Sequence, residues 1–116
     1  QRLSVWDYYY SSLSVLEESG AIDLPKIPSN CQHNGHMFYL KTSGLSERTG
    51  LLSHLKQNGV NAVFHYIPLH SSEAGLKFSR FNGEDVFTTA ESERIVRLPL
   101  WYGITEVQRN RVIDNV

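Results

Sequence analysis

Two histidines five residues apart, in the run His65-Tyr66-Ile67-Pro68-Leu69-His70, come nearest to chemistry by type and spacing. A neutral imidazole carries one donor and one acceptor, enough to hold a hydroxyl or a phosphate oxygen. As zinc ligands the pair would need two further partners. His33 and His36 are available, but their proline-bearing connector gives no reason to converge on the pair, so no metal site is expected. The alternative is that one histidine caps a strand and the other lies on a surface loop. Arg94 and Arg97 bracket Val96 just before Leu98-Pro99. An arginine at a strand entrance could grip a phosphate, or the two could be solvated charges. A thiol nucleophile needs a base beside it. None is placed near Cys31, the single cysteine, so an inert thiol is expected. The chain has no GxGxxG, P-loop, GxSxG, HExxH or paired CxxC pattern.

The chain that must position these groups has 116 residues, the length of one domain. It is 41% apolar and 20% charged, with a formal charge of −1. That suffices for one packed core and does not fit a disordered tail. Eleven basic against 12 acidic residues leave no positive excess for a phosphate backbone, so no nucleic-acid partner is expected. One cysteine excludes an internal disulfide framework and makes a reducing, cytoplasmic setting the default. No apolar run reaches the roughly 18 residues of a membrane helix, and no secretory signal pattern is visible. The first residue is Gln1, which reads as a cut or processed piece of something longer.

Leu3, Trp6, Tyr10, Leu13 and Leu16, widened by Val5 and Tyr9, predict a first helix that stops at Ser19-Gly20. Its aromatic stripe is expected to exceed the needs of so small a core and to leave an exposed patch. Residues 21–35, with Pro25 and Pro28, form an extended connector. A strand follows at His36 to Lys41, then a helix at Glu47 to Gln57 with Ser46 as N-cap. Asn58-Gly59 closes that helix, with a positive φ expected at Gly59. A strand from Val60 to Tyr66 ends at Pro68, and Ser71 to Asp85 is an irregular loop. Thr88 with Glu91 and Thr105 with Gln108 are capping-box patterns opening the last two helices, the first running through Val96. Arg97-Leu98-Pro99-Leu100 reads as a brief edge strand, because proline cannot donate within a sheet. The whole is an α+β layer, a small mostly antiparallel sheet flanked by helices.

Three of these stretches resemble one known family. They are Gly35-His36-Met37-Phe38-Tyr39, Val63 to His70, and Ser92-Glu93-Arg94-Ile95-Val96-Arg97-Leu98-Pro99-Leu100. Together they are similar to the C-terminal part of the DegT/DnrJ/EryC1/StrS sugar aminotransferases, over nearly the whole chain. The histidine-tyrosine-x-proline-leucine-histidine run followed by arginine-leucine-proline-leucine is the specific part. The resemblance implies that residues 1–116 are the small C-terminal domain of a fold type I transferase, with residues 1–19 part of a helix connecting to a large domain. That large domain would hold pyridoxal 5'-phosphate on a lysine, in a dimer. The reaction implied for the full-length parent is amino transfer from glutamate to a dTDP-4-keto-6-deoxy sugar. Lys26, Lys41, Lys56 and Lys77 match none of the family's Schiff-base contexts, and the aspartate that pairs with the pyridine nitrogen has no counterpart. This piece alone is therefore expected to be inactive and to bind no cofactor. By the same resemblance His65 and His70 face the nucleotide sugar, Tyr66 supports them and Arg97 faces the diphosphate. The other reading is a non-catalytic binding or interaction module of the same ancestry.

Overall fold

The computed structural model describes residues 1–116. Five helices and three short strands follow one another: α1 (Arg2–Glu18), β1 (Phe38–Lys41), α2 (Leu45–Gln57), β2 (Val63–Phe64), α3 (Glu73–Phe78), α4 (Thr88–Ser92), β3 (Ile95–Leu98) and α5 (Glu106–Ile113). A 3-10 turn at Leu69–Ser71 precedes α3. The sheet order is β1-β3-β2 and both pairings are antiparallel, so the α+β class stands. No helix is long and apolar enough to cross a membrane.

The register explains the core. Phe38 pairs with Leu98, and Leu40 with Val96, so these four project to one face of the sheet, where all are buried. Val5, Trp6, Tyr9 and Leu13 of α1, Leu55 of α2 and Val112 of α5 join them in one cluster. Trp6 and Tyr9 meet the Phe38 ring edge-on, at centroid separations of 5.3 and 5.4 Å. The opposite face carries Tyr39, Lys41, Ile95, Arg97 and Val63, half-buried or exposed.

Four local expectations are corrected. The strand containing Arg97 and Leu98 lies at the centre of the sheet, not its edge. It begins at Ile95 and ends at Leu98, so Pro99 falls just beyond the ladder and removes no bond from it. The helix expected through Val96 stops at Ser92, which frees Ile95–Leu98 for the sheet. The strand expected from Val60 to Tyr66 shrinks to Val63–Phe64. The Val60 N–H is spent on the Leu55 carbonyl at 2.8 Å, in the turn that closes α2, and the Ala62 N–H on Val60 at 3.1 Å. The apparently irregular loop after Ser71 contains α3.

Helix ends divide the same way. Gly59 has φ 73°, as expected, and its N–H bonds the Lys56 carbonyl while Val60 bonds Leu55, a Schellman closure. Thr105 and Gln108 form the full capping box. Ser46 caps nothing, because α2 starts two residues earlier than expected, at Leu45 after Gly44. Glu47 instead reaches back to accept from the Ser43 N–H at 2.8 Å, and hydrogen bonds from Ser43 hold its carboxyl below the usual range. Thr88 does not cap α4, since the N-cap position falls on Phe87. Asp85 takes over by accepting from the Thr89 N–H at 3.3 Å.

The aromatic stripe of the front helix is turned inward, and its exposed large apolar residues are Leu3 and Val15. Trp6 is 6% exposed and Tyr9 fully buried. The Tyr8 hydroxyl donates to Asn110 at 2.7 Å and the Arg109 guanidinium lies over its ring, so α1 is bound to α5. The exposed apolar side chains gather further on, among them Tyr66, Ile67, Leu69, Phe78 and Phe87.

Tyr9 has a testable titration. Its hydroxyl donates to the Pro99 carbonyl at 2.9 Å. Burial, with a smaller push from Tyr8 and an opposing pull from Arg109, raises the phenol to about 12. A folded value above the unfolded one means that the stabilisation is complete below about pH 10 and is lost as pH climbs toward 12. The loss is at most about 3 kcal/mol. Thermal melts from pH 9 to 11.5 should therefore fall more steeply for the native protein than for Tyr9→Phe. That variant starts about 1 kcal/mol lower for want of the hydrogen bond. Parallel profiles would show that Tyr9 does not titrate in this window.

Candidate functional site

β2 ends at Phe64, and the chain leaves the sheet through His65 and Tyr66. Tyr66 has φ 98°, an unusual conformation for a tyrosine that costs on the order of 1–3 kcal/mol. This turns Tyr66 outward, 68% exposed, with its ring 4.1 Å from that of half-buried His65. Pro68 then feeds the 3-10 turn that carries His70.

That turn is gripped from two sides. On one side α3 packs so closely that a Cβ on Gly75 would lie 1.6 Å from the Leu69 carbonyl oxygen, so only glycine fits. Ser72 Oγ donates to that carbonyl at 2.7 Å and accepts from the Gly75 N–H at 3.0 Å. On the other side Asp85 Oδ2 lies 2.9 Å from His70 Nε2, and the Phe81 ring covers the imidazole at 4.4 Å. Asp85 also accepts from the Thr89 hydroxyl. That bond is the main reason its carboxyl is held below the usual carboxylate range, with burial opposing and His70 adding a smaller pull.

His65, Tyr66 and His70 thus share one short segment. Tyr66, Pro68 and Ser71 line a cavity of about 330 Å³ that also receives Arg48, Phe64 and Thr89. Arg97 is elsewhere. It pairs with Tyr39 and Val63 on the open sheet face and lines a separate cavity of about 400 Å³ with Asn61 and Trp101. Arg94 is neither a phosphate ligand nor a free charge. Its guanidinium bonds Asp23 at 2.7 Å, Glu91 at 3.4 Å and the Thr42 carbonyl at 2.7 Å, clamping the connector to β1 and α4.

Three residues of this region escape the sequence reading. Arg48 stacks over Phe64 at 4.9 Å, donates to the Ser92 carbonyl and leaves its Nε buried without a partner. Gly75 and Asp85 hold the His70 turn. The Asp85-to-Thr89 spacing was a usable capping signal, whereas nothing local pointed to Arg48.

None of the four lysines lies in the segment that carries His65, Tyr66 and His70. Lys41 Nζ is ion-paired with Glu91 at 3.0 Å, and Lys77 lies over the Phe78 ring. Lys26 and Lys56 are exposed surface residues.

Comparison with solved structures places this geometry. The chain matches S. venezuelae DesV, in complex with a ketimine intermediate, at 27% identity and TM-score 0.85, over 99% of this chain and 30% of that one. It matches NtdA from Bacillus subtilis, with bound cofactor PMP, at 26% identity and TM-score 0.84, over 98% and 26%. The aminotransferase TlmJ from Streptoalloteichus hindustanus shares the fold at 21% identity and TM-score 0.83, over 98% and 29%. The chain therefore spans less than a third of the length of each of these structures. The model of the DegT/DnrJ/EryC1/StrS aminotransferase family matches residues 1–116, and the chain belongs to that family.

Proposed function

We propose that residues 1–116 are the small C-terminal domain of a pyridoxal-phosphate-dependent nucleotide-sugar aminotransferase. Glutamate would be the amino donor and a dTDP-4-keto-6-deoxy sugar the acceptor. The activity it resembles most is that of dTDP-4-amino-4,6-dideoxygalactose transaminase, which serves cell-surface polysaccharides such as enterobacterial common antigen. Family membership over the whole chain supports the chemistry, as do two similar structures that hold a ketimine and PMP. The observation that carries the site is the single segment that bears His65, Tyr66 and His70, of which Tyr66 itself lines the cavity, with His65 against its ring. The cofactor supplies the electron sink for amino transfer, from the large domain. This chain's residues bind and orient. His65 and His70 hydrogen-bond the sugar side of the substrate, Tyr66 walls the cavity, and Arg97 takes the diphosphate. Residues 1–19 belong to the helix leading to the large domain, and its anchoring by Trp6 and Tyr9 makes that connection rigid. The working unit is a cytoplasmic homodimer.

The full-length protein, given glutamate and dTDP-4-keto-6-deoxyglucose, should form a dTDP-4-amino sugar and 2-oxoglutarate. The 116 residues alone should form neither. Mass spectrometry of the nucleotide pool decides it. Turnover by the short chain, or none by the full one with any dTDP-4-keto sugar, would overturn the reading.

A further inference from the structure

The His70–Asp85 contact joins residues 15 positions apart, across a segment with no regular sheet bond to hold it. Its chemistry is constrained from the Asp85 side. That carboxylate accepts from the Thr89 N–H and the Thr89 hydroxyl as well as facing the ring. An ionised carboxylate is an acceptor only, so His70 Nε2 must carry the hydrogen. The tautomer of the neutral ring is then fixed, and the bare nitrogen is Nδ1. The ring's hydrogen bond within the chain is made through Nε2 and not Nδ1. With Phe81 against the ring, the imidazole is held in place as well as in protonation pattern.

We propose that Asp85 is a positioning residue. It holds His70 with the hydrogen on Nε2 and so presents Nδ1 as an acceptor for a hydroxyl of the acceptor sugar. This rests on the reading of His70 as a sugar-side residue and narrows it. A bare Nδ1 faces a phosphate oxygen lone pair to lone pair, whereas a hydroxyl can donate to it. His70 therefore reads the sugar and not the diphosphate. Carboxylates that orient a histidine through its far nitrogen do the same in other sites.

The test uses the full-length enzyme with Asp85→Asn, His70→Ala and the double variant, assayed with dTDP-4-keto-6-deoxyglucose, and with dTDP as an inhibitor lacking the sugar. Asparagine can still accept from Thr89, so α4 stays capped, but its amide N–H can donate to the ring and favour the opposite tautomer. Asp85→Asn should lower kcat/KM about tenfold, chiefly through KM. Adding it to His70→Ala should change little, because its target is gone. The affinity for dTDP should stay within about twofold in all three, since the diphosphate is not touched. Nitrogen NMR of isotope-labelled histidine should find the hydrogen on Nε2 in the native protein and a mixture in Asp85→Asn. Effects that multiply in the double variant, a native ring protonated only on Nδ1, or dTDP affinity falling in parallel would each overturn the proposal while leaving His70 at the substrate. Full activity of His70→Ala would instead remove the sugar-side reading, and this proposal with it.

Discussion

Phe38→Ala should cost about 3–5 kcal/mol, a large part of the stability a domain of this size possesses. The ring is fully buried, pairs across the sheet with Leu98 and is met edge-on by both Trp6 and Tyr9. Two features keep the cavity from collapsing. Trp6 is also stacked on Tyr10 at 5.2 Å and packed against His33 at 4.3 Å, and Tyr9 is tied to Pro99 through its hydroxyl. The penalty is therefore the lost transfer energy plus a void that these neighbours cannot fill. Urea unfolding should show a lower midpoint at unchanged slope. Phe78→Ala is the control. Phe78 is 78% exposed, and its loss should stay within about 0.5 kcal/mol. A Phe38→Ala cost below about 1.5 kcal/mol would mean that α1 and the sheet close over the gap, and that this aromatic cluster is not the centre of the fold.

What the sequence reveals depends on how far away the deciding partner lies. The period of α1 is local, so the helix was legible, but its rotation was not. The buried positions are Val5, Trp6, Tyr9 and Leu13, while Leu3 is exposed and Tyr10 and Leu16 are half-buried. A helix apolar around so much of its girth has several candidate stripes, and only the sheet selects one. The Thr105–Gln108 box needs nothing beyond four residues and forms as its pattern predicts. The Thr88–Glu91 pattern satisfied the same rule and failed, because Asp85 supplied the acceptor first. The place of β3 between β1 and β2 is set by pairings across more than 30 residues, and proline's aversion to ladders pointed to the wrong position. The site divides likewise. His65, Tyr66 and His70 stand out as one run, whereas Asp85 reaches His70 only because the intervening chain folds back. Gly75 matters only because the Leu69 carbonyl ends up against it. Arg97 belonged to the same motif-based reading, yet β3 places it in a cavity of its own.

In the full-length enzyme, His65→Ala and His70→Ala should each lower kcat/KM for the nucleotide sugar about ten- to a hundredfold, or about 1.5–3 kcal/mol. On the proposed reading, each truncation leaves a substrate group without its hydrogen-bond partner. The visible absorbance of the bound cofactor should not change, because on the proposed division the large domain holds it. The two variants should also differ. His70 is held by Asp85 and Phe81, so its removal deletes an already oriented group and should act on binding and turnover alike. His65 lies against the exposed ring of Tyr66, at a strained turn and without a carboxylate to orient it, so its removal should act mainly through KM. Stopped-flow absorbance with steady-state assays separates these cases. Full activity in both variants would make the histidines structural residues of the turn, while loss of the cofactor band in either would place that residue at the cofactor and redraw the division between the two domains.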